Sequence, residues 1–227
     1  MTRKHPRVIP PIEGPAGFIM RYRKDPLFFL ERCVKTKDQA DKIVPIKRFP
    51  LQQGEGGASN KAYLRYIIPI IWNEPLLAIV KHRRMILTWT MCALWLADAM
   101  FFEGRFNALV SKKEEDSDEL VQRCHFIYEN LDEADLGFKK PEAIYKYTSL
   151  LFPETGSEIK GVAQGADQLR QRACSRVGCD EMAFWQQARA TFVSLKPTIE
   201  GGGQILIIST RFPGFFKELI EDTLEAA

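Results

Sequence analysis

Two adjacent carboxylates, Asp180 and Glu181, close a short apolar run in RVGCDEMAFW. At the tip of a strand, the first suits a divalent cation held directly or through water, and the second suits polarisation of an attacking water. Solvated loops carry such pairs too, so the neighbours decide. Upstream, KHRRMILTW gathers Lys81, Arg83 and Arg84 ahead of Thr88, which opens a long apolar stretch. Positive charge, a helix N-terminus and a hydroxyl able to ligate Mg²⁺ are what a phosphate cradle needs. The stretch departs from the glycine-rich loop G-x-x-x-x-G-K-[ST], because Ile86 and Leu87 stand where Gly-Lys would be. A third segment, GGGQILIISTRFPG, ends an apolar strand in Ser209-Thr210, two hydroxyls suited to sensing a γ-phosphate and equally common as turn formers.

These segments meet only if each sits at the C-terminal end of a strand in one parallel sheet, where ligands of such sheets bind. The pattern supplies that. Short apolar runs at Leu76 to Val80, Phe106 to Ser111, Val177 to Cys179 and Gln204 to Ser209 alternate with helical stretches at Thr88 to Phe102, Glu114 to Leu131 and Phe184 to Leu195. This alternation predicts an α/β fold with crossover helices. Glu154 to Gly165 adds a strand and turn, and Phe215 to Thr223 a last helix, whereas Asp132 to Leu151 has no assignable pattern. Upstream, Asp25 caps a helix that starts at Pro26 and runs to Val34, where a missing N–H is harmless. DKIVPIKRFPLQQGEGG reads as an extended segment and a loop, followed by a helix from about Ser59 to Trp72. Met1 to Gly17, with four prolines and no periodicity, reads as an irregular arm.

At 227 residues, 45% hydrophobic and 27% charged, the chain has the composition of a globular protein, which excludes disordered, collagenous and disulfide-framework classes. Its five cysteines lack paired spacing and only three histidines accompany them, so the expectation is a reduced compartment without structural zinc. The start has no apolar run to make a secretory signal. The longest apolar stretch, Ile86 to Ala97, is too short to span a bilayer, so no membrane contact is expected. Met1 to Arg48 carries a surplus of seven positive charges and the rest of the chain a surplus of four negative ones. That asymmetry suits a polyanion partner for the N-terminal arm.

Taken in order, the three motifs resemble the ATPase domain of the large terminase subunit of tailed bacteriophages, the motor that packages DNA into proheads. The resemblance runs from about Asp41 to Leu219. Its most specific stretch is GADQLRQRACSRVGCDEMAFW, followed by ILIISTRFPGFF; VSKKEEDSDELVQR is similar to the family's second strand and following helix. It implies a RecA-like, ASCE-type P-loop ATPase with a central, mostly parallel sheet flanked by helices, preceded by a basic extension over residues 1–40. The ATPase domain would fill residues 41–227 without the family's C-terminal nuclease domain, so DNA cleavage is not expected of this chain.

The resemblance also implies roles. Asp180 matches the Walker B aspartate that organises Mg²⁺, Glu181 the water-activating glutamate, Thr88 the Mg²⁺-binding hydroxyl of Walker A, and Ser209 and Thr210 the coupling motif. Some large terminases carry the Walker A lysine at the front of the loop, and Lys81 fits that variant. Arg83 and Arg84 would compensate for the missing glycines. Gln52 and Gln53 resemble the adenine-reading segment, or are surface loop residues. Arg170 fits the place of an arginine finger, with Arg172 close enough to compete. Implied cofactors and partners are ATP, Mg²⁺, double-stranded DNA, the portal protein, the terminase small subunit and further copies in a ring, in the host cytoplasm. The alternative implied by the glycine-free loop is a DNA-binding or assembly module that keeps the fold with weak or lost hydrolysis. A helicase built on a similar core is a lesser alternative, since only one ATPase core and no second-domain motifs are present.

Overall fold

Strands buried on both faces read as continuous apolar runs, and the two most continuous here, at 106–111 and 204–209, lie inside a seven-stranded sheet on either side of a third strand. A computed structural model describes residues 14–37, 46–50, 61–82, 85–165, 169 and 172–225. The strand order is β3 (Leu76–Val80), β9 (Gln204–Ser209), β8 (Arg176–Asp180), β4 (Phe106–Ser111), β7 (Ser157–Ala163), β6 (Ser149–Phe152) and β5 (Ile144–Lys146). The first five run parallel, and β6 and β5 return antiparallel at one edge. A separate antiparallel ribbon pairs β1 (Lys35–Lys37) with β2 (Ile46–Arg48). The strand carrying Ser209 therefore lies between the strand leading into Lys81 and the strand ending at Asp180, so the three motifs adjoin at one edge.

Two helical layers cover the sheet, and residues alternate between them. Leu109, Leu206 and Ile208 face α4 (Leu87–Phe101), α5 (Glu114–Glu129) and the N-terminal helices; Ala108, Val110, Val177 and Ile207 face α7 (Ala188–Glu200) and α8 (Phe215–Glu225). The apolar α4 is sandwiched between the sheet and α1 (Gly14–Lys24), α2 (Pro26–Arg32) and α3 (Leu64–Asn73), which explains why it has no polar face. Gly178 in β8 allows that close approach: a Cβ there would stand 2.4 Å from Met91 Sδ. Among the described residues no helix is long and apolar enough to cross a membrane.

The structure moves several expected boundaries. Part of the expected arm is helical, since α1 begins at Gly14 with Pro15 in its first turn, where proline is tolerated. Phe18 and Tyr22 are fully buried against Phe101 at ring distances of 5.5 and 5.6 Å, so α1 is part of the core. The helix expected from Ser59 is α3, starting at Leu64, while Ser59 lies outside the described residues. The helix expected at Phe184 to Leu195 starts four residues later, as α7, behind a 3-10 turn at Met182–Phe184. The unassigned stretch holds the short helix α6 (Glu133–Leu136) and the strands β5 and β6.

Candidate active site

Lys81 extends β3, its N–H donating to the Ser209 carbonyl at 2.9 Å. Its ammonium lies 3.1 Å from Thr88 Oγ1, 3.2 Å from Asp180 Oδ1 and 3.1 Å from Glu181 Oε1. Thr88 Oγ1 in turn donates to Asp180 Oδ1 at 3.1 Å. One lysine, one hydroxyl and two carboxylates, drawn from a strand end, a helix N-terminus and a second strand end, thus converge within hydrogen-bond reach. The lysine and Asp180 are nearly closed off, with side chains 11% and 12% exposed, whereas Glu181 is 36% exposed and reachable by water.

Glu181 is held from the other side. Its Oε2 accepts from Ser209 Oγ, Thr210 N–H and Thr210 Oγ1 at 3.4, 3.3 and 3.2 Å. Ser209 Oγ also accepts the Ala183 N–H at 3.0 Å, which ties the turn after the carboxylates to β9. The Trp185 indole N–H donates to the Asp180 carbonyl at 3.1 Å and fixes the same turn. Burial raises the Asp180 carboxyl above its usual range; Lys81 opposes that rise and the neighbouring Glu181 charge adds to it.

Two residues here adopt left-handed backbone, Ile86 at φ 60° and Glu181 at φ 56°. For a β-branched residue this conformation is strained by about 1–2 kcal/mol. Ile86 stands at the position of the second loop glycine and takes the left-handed conformation that glycine adopts at least cost. The phenol of Tyr63 donates to the Met85 carbonyl and braces this loop from α3. Nothing in the sequence signals that brace, the Trp185 bond or the two left-handed residues; each depends on a tertiary contact.

The structure therefore brings together Lys81, Thr88, Asp180, Glu181, Ser209 and Thr210. Arg83, Arg84, Gln52, Gln53 and Arg170 lie outside the described residues. Arg172 is at the opposite end of the sheet, its guanidinium paired with Glu158 at 2.7 Å and stacked 3.7 Å over the Phe106 ring at the start of β4. It does not reach the cluster of its own chain. The oxygens of Thr88 and Asp180, side by side at the mouth of the loop, are the hard donors that suit Mg²⁺.

No family model and no curated protein sequence matches the chain. Solved structures do. The large terminase of bacteriophage HK97 superposes with a TM-score of 0.62 at 13% identity, over 90% of this chain and 41% of that one. This chain thus spans about two fifths of the HK97 protein's length. The large terminase ATPase domain of Thermus phage P74-26 superposes with a TM-score of 0.50 at 15% identity, over 67% of each chain. The seven-stranded, mostly parallel sheet flanked by helices is the RecA-like P-loop fold, in the form seen in phage large-terminase ATPase domains.

Proposed function

We propose that this chain is the ATP-hydrolysing motor domain of a viral DNA-packaging terminase. The observation that carries the reading is the convergence of Lys81, Thr88, Asp180 and Glu181 within 3.1–3.2 Å at the sheet edge where P-loop folds bind phosphates. Lys81 holds the β- and γ-phosphates from the front of the loop, and the α4 N-terminus adds its dipole. Thr88 and Asp180 would hold Mg²⁺, which neutralises charge on the transferring phosphoryl group when bound. Glu181, fixed through Oε2, uses its exposed side to orient water in line with the γ-phosphate. Ser209 and Thr210 tie that carboxylate to the loop after β9, so a change in phosphate occupancy is passed on as movement of that loop. Positioning and charge provide the acceleration.

In this reading the motor moves double-stranded DNA into proheads as a ring of identical subunits on a portal protein, served by a small subunit, in the host cytoplasm. An arginine from a neighbouring subunit completes the site, so the isolated chain turns over slowly. A second reading, a DNA-binding or assembly module with weak or lost hydrolysis, is favoured by the strained, glycine-free loop at Ile86.

Turnover of ATP with Mg²⁺, with and without duplex DNA, separates them. Glu181→Gln should lower turnover by about 10²–10⁴-fold and leave nucleotide binding intact. Unchanged turnover removes Glu181 from its role. A thermal midpoint that Mg²⁺ and ATP fail to raise favours the assembly module.

A further inference from the structure

Beside the active edge lies a cavity of about 390 Å³ that the phosphate chemistry does not use. Its walls include Phe184, Trp185, Phe212 and Phe215, and no carboxylate lines it. Phenylalanine is usually buried, yet Phe184 and Phe212 are 40% and 47% exposed and lie 4.9 Å apart, a tilted pair open to water. Two uncovered rings side by side offer aromatic faces to a flat ligand. The lining also includes Gln186, an exposed amide able to donate and to accept.

The charge left free around these rings is positive. Lys112 lines the cavity and Arg211 adjoins Phe212; both are exposed, and neither has an ion pair among the described residues. Arg189, also in the lining, is already engaged, since it lies 4.8 Å over the Phe215 ring and pairs with Glu218. Glu114 and Glu115 follow Lys112 in sequence but open α5 and do not line the cavity. Open aromatic faces with free cations beside them are the combination that holds single-stranded nucleic acid: the rings stack on unpaired bases and the cations take the phosphates. A duplex has the phosphates but keeps its base faces stacked on one another. An apolar peptide anchor would fill the cavity and leave the cations unused.

We infer that this cavity is a second ligand site, which takes an unpaired nucleobase of a single-stranded nucleic acid on Phe184 and Phe212, with Gln186 at the base edge and Lys112 and Arg211 on the flanking phosphates. The inference rests on the DNA-handling role proposed above for the nature of the polyanion, and it gives that partner a place. Two cavity walls are the segments that follow Glu181 and Thr210, and the Ala183 N–H in the first donates to Ser209 Oγ at 3.0 Å. A strand seated here therefore touches the loops that hold the water-orienting carboxylate.

Fluorescence anisotropy of a labelled oligothymidylate, beside an oligomer of the same length whose sugars carry no bases, tests this on the full chain. The oligothymidylate should bind at least about tenfold more tightly, as one stacked base requires. Phe184→Leu combined with Phe212→Leu keeps apolar volume and removes the ring faces; its affinity for oligothymidylate should fall to that for the base-free oligomer, which itself should bind as before. Lys112→Ala combined with Arg211→Ala should weaken both oligomers alike and lower the slope of log affinity against log salt by about 1.4, the value for two single-strand phosphates. Both variants should bind Mg²⁺ with ATP as wild type does, which shows them folded and separates failure here from failure of the nucleotide site. In wild type, iodouracil placed in the oligomer should photocrosslink to Phe184, Trp185 or Phe212, a readout that needs no variant. Four results overturn the proposal: equal binding of the two oligomers, a Leu variant that keeps the preference for bases, crosslinks confined to other residues, or a wild type that binds neither oligomer.

Discussion

The two ends of the sheet are built from similar residue types and put to opposite use. At the N-terminal end, Asn107, Arg176 and Gln204 form one row across β4, β8 and β9, and Asp98 of α4 covers them. Asp98 is almost fully buried, and it accepts from Arg176 Nε and Asn107 Nδ2 at 3.1 Å each. The Arg176 guanidinium lies 3.9 Å over Trp72, which joins the N-terminal helices to the sheet. At the C-terminal end, one lysine faces two adjacent carboxylates, and the backbone at Ile86 and Glu181 is left-handed. One end sets a single buried carboxylate between two guanidiniums, Arg176 and Arg105; the other crowds two carboxylates on one lysine and retains backbone strain, as functional sites do. The difference assigns stability to the first end and chemistry to the second.

The comparison breaks most visibly at Asp98. Asp98→Ala leaves Arg176 buried without its carboxylate and should lower unfolding free energy by about 3–5 kcal/mol, read from urea denaturation. A loss below about 1 kcal/mol would erase the contrast between the ends.

Asp180→Asn should act in the opposite sense on stability while removing turnover. Lys81 keeps Glu181 as a partner, so no charge is stranded. Because burial raises the Asp180 carboxyl in the folded state, that state binds the proton more tightly than the unfolded chain. Stability from this group is present at low pH and falls as pH rises from the ordinary carboxylate range through the raised one. At neutral pH the Asn variant should therefore match or exceed wild type, and its advantage should vanish below the carboxylate range. Melting curves across pH check this; an advantage that grows as pH falls would contradict it.

The smallest effect is expected at Arg172. Its ion pair with Glu158 is half exposed, so Arg172→Ala should alter stability by about 1 kcal/mol or less. Turnover should be unaltered, because the residue sits at the stabilising end. A large fall in turnover at saturating ATP would return Arg172 to the candidates for an arginine finger.

How much of this was legible in the sequence depends on how local the cause is. Strands β4 and β9 lie where the apolar runs at 106–111 and 204–209 predict, because both faces are buried and the run itself is the signal. The short pairs β1–β2 and β5–β6 have no such run and are set by register with their neighbours. Helix α7 starts late because the left-handed Glu181 and the 3-10 turn at Met182–Phe184 delay its first turn, and it runs past the expected end to Glu200 with Pro197 inside it. In the site, residue types and order were readable, and Lys81 is brought to Thr88, Asp180 and Glu181. What could not be read is that Ile86 takes the glycine conformation, since that strain is imposed by packing around the loop rather than by its own preference.

Calorimetric titration of Mg²⁺ and ATP into wild type and Lys81→Ala decides whether the strained end is a phosphate site. Wild type should bind measurably and the variant at least about tenfold more weakly, or 1.4 kcal/mol. Equal binding by the two proteins, or no binding by wild type, would contradict the assignment.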